Sequence, residues 1–290
     1  MVEEGVKLRV HPNARRFTEA CNCLDQNRLI YEDTTFIVVD KPPMIPSQPD
    51  ASNYLECVPG CVNKNLGPFV DIDGEPVMRP LLCHRVDLCV GGCIVLSKDR
   101  NGQNVFTTLQ RERKVKKLYH AVTTKPVPLG QHIHWMLAAG VARGENAGPS
   151  CQILSHNPEG KKKNKSWIRC VLEVTKCEPI EISDAAKKGG YDDGAQQHYQ
   201  STIRLVTGRK HQVRAQLASL GCPIIRDTLY QPIAGMTFDM LAFGEEAEKA
   251  LDDAIAVARI PQEPIGLQAH AILFGGVKAI ARTPWWSAEE

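Results

Sequence analysis

The sequence predicts an α+β domain built on an antiparallel or mixed sheet, with flanking helices. Three observations lead there. Strand-like segments, alternating or rich in β-branched residues, recur along the whole chain. Amphipathic helical patterns are few. The two kinds do not alternate regularly, as a parallel β-α-β sheet would require. There is no internal repeat, no G-x-G-x-x-G and no Walker loop, so the expectation is an activity that uses no nucleotide cofactor.

The elements follow in order. Residues 29–40, LIYEDTTFIVVD, read as a strand, a polar turn and a buried strand, stopped by Lys41-Pro42-Pro43. Residues 42–80 are rich in Pro, Gly, Asn and Asp and are expected to be mostly irregular. Cys93–Ser97 is a strand. Asp99 then opens a helix to about Lys114, with Val105, Phe106 and Leu109 inward. Lys117–Thr123, His132–Trp135, Cys151–Leu154 and Ile168–Lys176 are strand-like, and KKKNK at 161–165 reads as a solvated hairpin tip. Residues 183–198 form a polar loop before a strand at Tyr199–Val206. A helix at 210–220 buries Val213, Leu217 and Leu220, and another at 245–258 turns Ala247, Leu251, Ile255 and Ala258 inward. Leu267–Phe274 and Val277–Ala281 close the chain as a hairpin around Gly275-Gly276.

Composition bounds the function classes. The 290 residues are 43% hydrophobic, enough for an ordinary core. No apolar run reaches the roughly 18 residues of a membrane span, so no membrane partner is expected. The start, MVEEGVKLRV, does not read as a secretory signal and is too acidic to look like a transit peptide, so an intracellular protein is expected, in the cytoplasm or, if a transit peptide has been trimmed, in a plastid or mitochondrion. Net charge is only +2, but it is unevenly spread. Residues 111–117 and 201–230 each carry five basic and one acidic side chain, whereas 239–263 carries seven acids and two bases. Such a chain presents a positive face to a polyanion. The eleven cysteines include no C-x-x-C pair and are expected to be reduced.

Four constellations carry chemistry. In HRVD at 84–87, an extended backbone puts Arg85 and Asp87 on one face, just ahead of a core strand. They are either a local ion pair or a nucleophilic carboxylate whose ionised form needs a nearby cation. In TGRKHQVRAQL at 207–217, Arg209, Lys210, His211 and Arg214 crowd the first turns of a helix, where cations oppose the macrodipole. Binding a phosphate or a distant carboxylate explains them better than stability does; a solvated basic surface is the alternative. The spacing of three places His211 and Arg214 on one face, away from the core face. In KKLYHAV at 116–122, Tyr119 among Lys116 and Lys117 suits stacking of an unpaired base beside phosphates, or is simply a half-buried strand tyrosine. His132 and His134 share a strand face but lack a third ligand nearby, so no metal is expected.

In this order the segments resemble the RluA-type family of RNA pseudouridine synthases. LIYEDTTFIVVDKPP at 29–43, HRVD with Gly92 and the strand after it, KKLYHAV, TGRKHQVRAQLASLGCPIIRDTLY at 207–230 and LQAHAILF at 267–274 are similar to that family's successive motifs. The long interval between Tyr119 and Thr207 resembles its plant organellar branch. The resemblance implies a pseudouridine synthase catalytic fold, a long bent sheet crossed by a cleft. It implies isomerisation of uridine in rRNA or tRNA without metal or cofactor, by a monomer. It implies Asp87 as the catalytic aspartate, Tyr119 as the ring stacked on the base and assisting proton removal from C5, and Arg214 as the cation paired with Asp87. Arg85 matches a residue that enters the RNA as the base flips out. Arg209, Lys210, His211, Lys116 and Lys117 are left to bind RNA.

Residues 1–28 are then an N-terminal extension, and 29–290 a single catalytic domain with an insertion around 126–198. The chain departs from the family's pattern at Val90-Gly91, where Thr-Ser is usual. An inactive RNA-binding or RNA-folding protein on the same scaffold is the competing reading. A hydrolase using Asp87 with His84 or His120 fits no defensible spacing. Geometry separates the two views of HRVD: Asp87 should lie nearer the guanidinium of Arg214 than that of Arg85.

Overall fold

A computed structural model describes residues 12–49, 52–137, 151–157, 167–188, 191 and 193–288. Its strands are β1 (Leu29–Glu32), β2 (Phe36–Lys41), β3 (Leu81–Leu82), β4 (Gly91–Ser97), β5 (Lys116–Thr123), β6 (Gly130–Leu137), β7 (Leu154–Ser155), β8 (Trp167–Ile180), β9 (His198–Leu205), β10 (Leu267–Phe274) and β11 (Val277–Ile280). They form one sheet in the order β1-β2-β4-β10-β5-β9-β8-β6-β7, with β3 on β4 and β11 on β10. Among the described pairings only β10 with β4 is parallel; the others are antiparallel. The mixed sheet expected from the sequence is therefore present.

Alternation along the strands builds two layers. On β2 and β4, Ile37, Val39, Ile94 and Leu96 feed one apolar cluster, shared with Val86, Tyr119, Val213 and Leu217. Phe36, Val38, Cys93 and Val95 feed another on the opposite face, with Phe106 and Phe274. That second face is covered by helix α3 (Arg100–Arg111), whose N-cap Asp99 accepts from the Gly102 amide at 2.6 Å. The first face is left for the site. Gly275 and Gly276, with φ of 51° and 86°, make the tight turn expected between β10 and β11.

Several expectations need correction. The stretch 42–80 contains a helix, α2 (Val58–Leu66, preceded in the chain by α1, Thr18–Asn22). Its V-P-G start reads as a breaker. Yet Pro59 occupies the first turn, where its missing N–H is harmless. Gly60 is there because a Cβ would strike the Leu55 carbonyl. The cysteines are not all reduced, since Cys21 and Cys61 are bonded and tie α1 to α2. Val105 points outward, 51% exposed, because Phe106 and Leu109 already define the buried stripe of α3. The loop at 183–198 contains a short helix, α4 (Asp184–Lys188), and helix α5 begins later than expected (Gln212–Ser219). KKKNK at 161–165 lies outside the described residues. The last helix, α6 (Glu245–Val257), buries Leu251 and Ile255 and leaves its first-turn acids exposed.

Candidate active site

A cleft of about 610 Å³ opens on the first face of the sheet. It is walled by the segment 82–88, by Lys117 and Tyr119 of β5, and by residues 208–214 around the start of α5. β5 lies mid-sheet, and the other two segments meet it around this one cleft.

The loop carrying Asp87 is held from both neighbours. Ser47 Oγ donates to the Val86 carbonyl at 2.5 Å and accepts from the Val86 amide at 3.0 Å. The Leu88 carbonyl accepts from the Met44 amide at 2.7 Å and from Lys41 Nζ at 3.3 Å. Lys41 is wholly buried and also donates to the carbonyls of Pro42 and Ile45, at 3.0 and 2.9 Å. Burial pushes its ammonium down to about 7, against the charges of Cys89, Asp87 and Asp40. Three carbonyl acceptors match the three donors of a charged ammonium, so Lys41 staples the 42–45 loop to the aspartate's loop.

The loop then enters β4 through Val90-Gly91-Gly92. Val90 is buried in the core, where a hydroxyl would lack a reason to be. A Cβ at position 91 would sit 3.2 Å from the Lys41 carbonyl and 3.3 Å from Pro43 Cδ. Gly92 has φ 114° and lies where a Cβ would meet the Ala269 backbone. At the departure from Thr-Ser, Val90 fills the core and Gly91 relieves crowding against Lys41 and Pro43, while the positive φ and close approach at Gly92 require its glycine.

Asp87 accepts a hydrogen bond from Arg214 Nη1 at 3.2 Å. Arg85 instead donates to Gln48 Oε1 at 3.2 Å and is exposed at the rim. The local ion-pair reading of Arg85 and Asp87 is not what the structure has.

Arg214 is only 2% exposed, which corrects the expectation that it sits with His211 on a face away from the core. Gln212 through Ala218 are all buried, because the sheet covers α5 on one side and residues 227–238 pack on the other. Arg214 is gripped by Asp227, which accepts from Nε at 2.7 Å and from Nη2 at 2.8 Å and is fully buried. Burial pushes the guanidinium down, but the Asp227 hydrogen bonds and charge outweigh it, leaving Arg214 above its ordinary value. The ring of Tyr230 lies 5.1 Å from the guanidinium carbon.

Asp227, like Lys41 and Ser47, is not singled out by the sequence. Its neighbour Arg226, at φ 62°, rests its guanidinium over the rings of Tyr191 and Trp285 (5.0 and 4.9 Å) and pairs with Glu263 at 3.2 Å. The only available signal was an acid inside an otherwise basic motif.

His211 is the N-cap of α5 at φ 57°; its Nδ1 lies 3.2 Å from Tyr230 Oη and its Nε2 4.0 Å from Asp87. Burial, partly offset by Asp87, holds it at about 4, so it is neutral at pH 7. Tyr119 is 9% exposed and lines the cleft; burial, then the Asp87 charge, pushes its phenol well up. Lys117 shares that strand face, whereas Lys116 is exposed and not part of the cleft wall. Burial lowers Lys117 to about 8. Arg209 and Lys210 are exposed at the opposite rim.

His132 and His134 do not converge on a metal: His134 Nδ1 accepts from Gln216 Nε2 at 3.0 Å, and among the described residues no group of three or more His, Cys, Asp or Glu side chains could hold a metal ion. What the cleft offers is one carboxylate beside a fixed guanidinium, a buried phenol ring, and cations on both rims. That arrangement suits attack on, or charge stabilisation of, a sugar carbon next to a flat base.

Comparison with known proteins agrees. A family model described as RNA pseudouridylate synthase matches residues 35–219. RNA pseudouridine synthase 6, chloroplastic, of Arabidopsis thaliana is 31% identical over 98% of the chain and 61% of its own length. The protein of that name from Oryza sativa subsp. japonica is 30% identical over 98% of the chain and 60% of its own. The chain therefore spans about three fifths of the length of these curated relatives. The solved structure of Human RNA Pseudouridylate Synthase Domain Containing 4 superposes with a TM-score of 0.55 at 20% identity, covering 91% of each chain, which shows the fold.

Proposed function

The chain belongs to the RNA pseudouridylate synthase family, and from that premise we propose that it converts particular uridines in rRNA or tRNA to pseudouridine. The observation that carries the reading is the chain of contacts Asp87–Arg214–Asp227 beside Tyr119 in a cleft with basic rims.

The reaction breaks the N1–C1′ bond, turns the base, and forms a C5–C1′ bond; the proton lost from C5 is balanced by one gained at N1. A base stacked in RNA cannot bring C1′ to a carboxylate inside a cleft, so it must flip out, at a cost of a few kcal/mol. Arg85, exposed and, among the described residues, hydrogen-bonded to Gln48, fills the gap. Asp87 supplies the nucleophile or stabilising charge. Arg214 supplies its fixed cation, and Tyr119 the face on which the base stacks. Arg209, Lys210 and Lys117 hold phosphates, while neutral His211 braces Tyr230 and the floor of the site. No step in this scheme calls for a metal or organic cofactor.

We take residues 29–290 as the catalytic domain, with the stretch around 126–198 as an insertion contributing β6, β7 and β8 to one edge of the sheet. The likeness to two chloroplastic relatives supports a plastid as its compartment. Mapping pseudouridine across total RNA with and without the gene product tests the reading. Sites lost with the gene product and restored by the wild-type chain are expected; an unchanged map contradicts it. Neither the relatives' names nor the contacts of Asp87 favour an inactive RNA-binding scaffold.

A further inference from the structure

The end of helix α3 carries a feature that the catalytic reading does not use. The helix stops in a Schellman turn: the Lys114 amide donates to the Leu109 carbonyl at 2.9 Å, and the Arg113 amide to the Gln110 carbonyl at 3.2 Å. The residue required to be left-handed in such a turn is normally glycine. Here it is Arg113, at φ 60°. Strained backbone persists where surrounding structure or function requires the side chain. The chain has four non-glycine residues with positive φ among those described: Met44, Arg113, His211 and Arg226. Met44 holds the Asp87 loop, His211 faces Asp87, and Arg226 precedes Asp227. Arg113 is the one not accounted for.

Its position supplies an account. Gln110, one turn back, lines the catalytic cleft, as does Lys117 on the strand that follows. Arg111 and Arg113, next in the chain to Gln110 and between it and Lys117, are both exposed and have no ion pair among the described residues. The turn's own acid, Glu112, is neutralised by Lys114 at 2.8 Å. The 71–75 turn, by contrast, exposes Asp73 and Glu75.

We propose that the C-terminal turn of α3 is an RNA-binding rim, on which Arg113 and Arg111 hold backbone phosphates of nucleotides flanking the one in the cleft. The identity of the polyanion rests on the isomerase reading. The rim gives the RNA a path: phosphates cross from Arg209 and Lys210, past the cleft, to the end of α3.

The test compares three variants of the whole chain for binding to an unstructured, uridine-containing oligoribonucleotide over a range of salt. Arg113→Gly removes the charge and relieves the backbone. It should weaken binding about three- to tenfold at low salt and lower the salt slope by about 0.7, the share of one phosphate contact on single-stranded RNA. Its melting temperature should be no lower than that of the wild type. Arg111→Gln should weaken binding similarly. Arg100→Gln removes the same charge from the far end of α3 and should bind as the wild type does. Wild-type affinity in Arg113→Gly, or equal weakening by Arg100→Gln, overturns the proposal. Failure of the isomerase reading looks different: the wild type binds this RNA and loses affinity in Arg113→Gly, yet forms no pseudouridine in any cellular RNA.

Discussion

Asp87 and Arg214 are separated by 127 positions in the chain and by a 3.2 Å hydrogen bond in space. Neither is free to drift. Asp87 sits between two backbone-anchored neighbours, Val86 and Leu88, and Arg214 is locked by two bonds to a carboxylate that solvent does not reach. On the proposed reading, a carboxylate and its cation are thus preorganised before a substrate arrives.

Asp227→Asn tests that preorganisation. It leaves Arg214 buried with one charge partner fewer, a change that costs about 3–5 kcal/mol when a buried pair is broken. Denaturant unfolding should show a loss of that order, and turnover should fall at least about tenfold because Arg214 can then turn from Asp87. Wild-type turnover in a folded Asp227→Asn protein would show that the grip is not needed.

Tyr119→Phe separates ring from hydroxyl. The ring's stacking survives, so RNA affinity should stay within about threefold of wild type. Isomerisation should drop by about 100-fold or more, the scale of a lost general acid–base group. Full activity in the variant would reduce Tyr119 to a stacking surface.

Arg85→Ala should reveal the cost of flipping. With a target uridine in a paired stem, kcat/KM should fall about tenfold, and it should fall less with the same uridine in an open loop, where unstacking is cheapest. An equal loss on both substrates would make Arg85 a plain phosphate contact.

The pH dependence of stability follows from buried imidazoles. His134, His120 and His211 are each lowered to about 4, chiefly by burial. At His134, protonation would set Nδ1–H against the donor Nε2 of Gln216, and His156 and His132 add repulsion. The unfolded chain protonates near 6.5, so between about pH 6.5 and 4 it binds more protons than the folded one. Stability contributed by the neutral rings is complete above that window and is lost as pH falls through it. Melting temperatures measured from pH 7.5 to 4.5 should decline below pH 6.5, and less steeply for His134→Asn; a flat profile would contradict these environments.

The motifs showed more than the periodicities did. Asp87, Tyr119 and Arg214 stand out in the sequence through the motifs that resemble the family's; the residues alone leave a local ion pair, a strand tyrosine and a solvated basic surface open. Strands β2 and β4 are legible too, since each carries a continuous apolar run. Asp227, Lys41 and Ser47 were not, because their roles are tertiary. A buried lysine on three carbonyls looks in sequence like any lysine before proline. Helix α5 misled for a similar reason. Its pattern suggested one buried face, but packing on both sides buries Gln212, Arg214 and Gln216, which hydrogen bonds then satisfy. Residue 113 shows the converse, since only the φ angle reveals that an arginine stands where the turn asks for glycine.

The most direct test of the central claim is pseudouridine formation by Asp87→Asn on an RNA that the wild-type chain modifies. The substitution keeps the shape and removes the charge beside Arg214, at a side chain about a quarter exposed, so the protein should fold and still bind RNA. The account predicts no detectable pseudouridine in that variant. Pseudouridine forming at a rate near that of the wild type would contradict it.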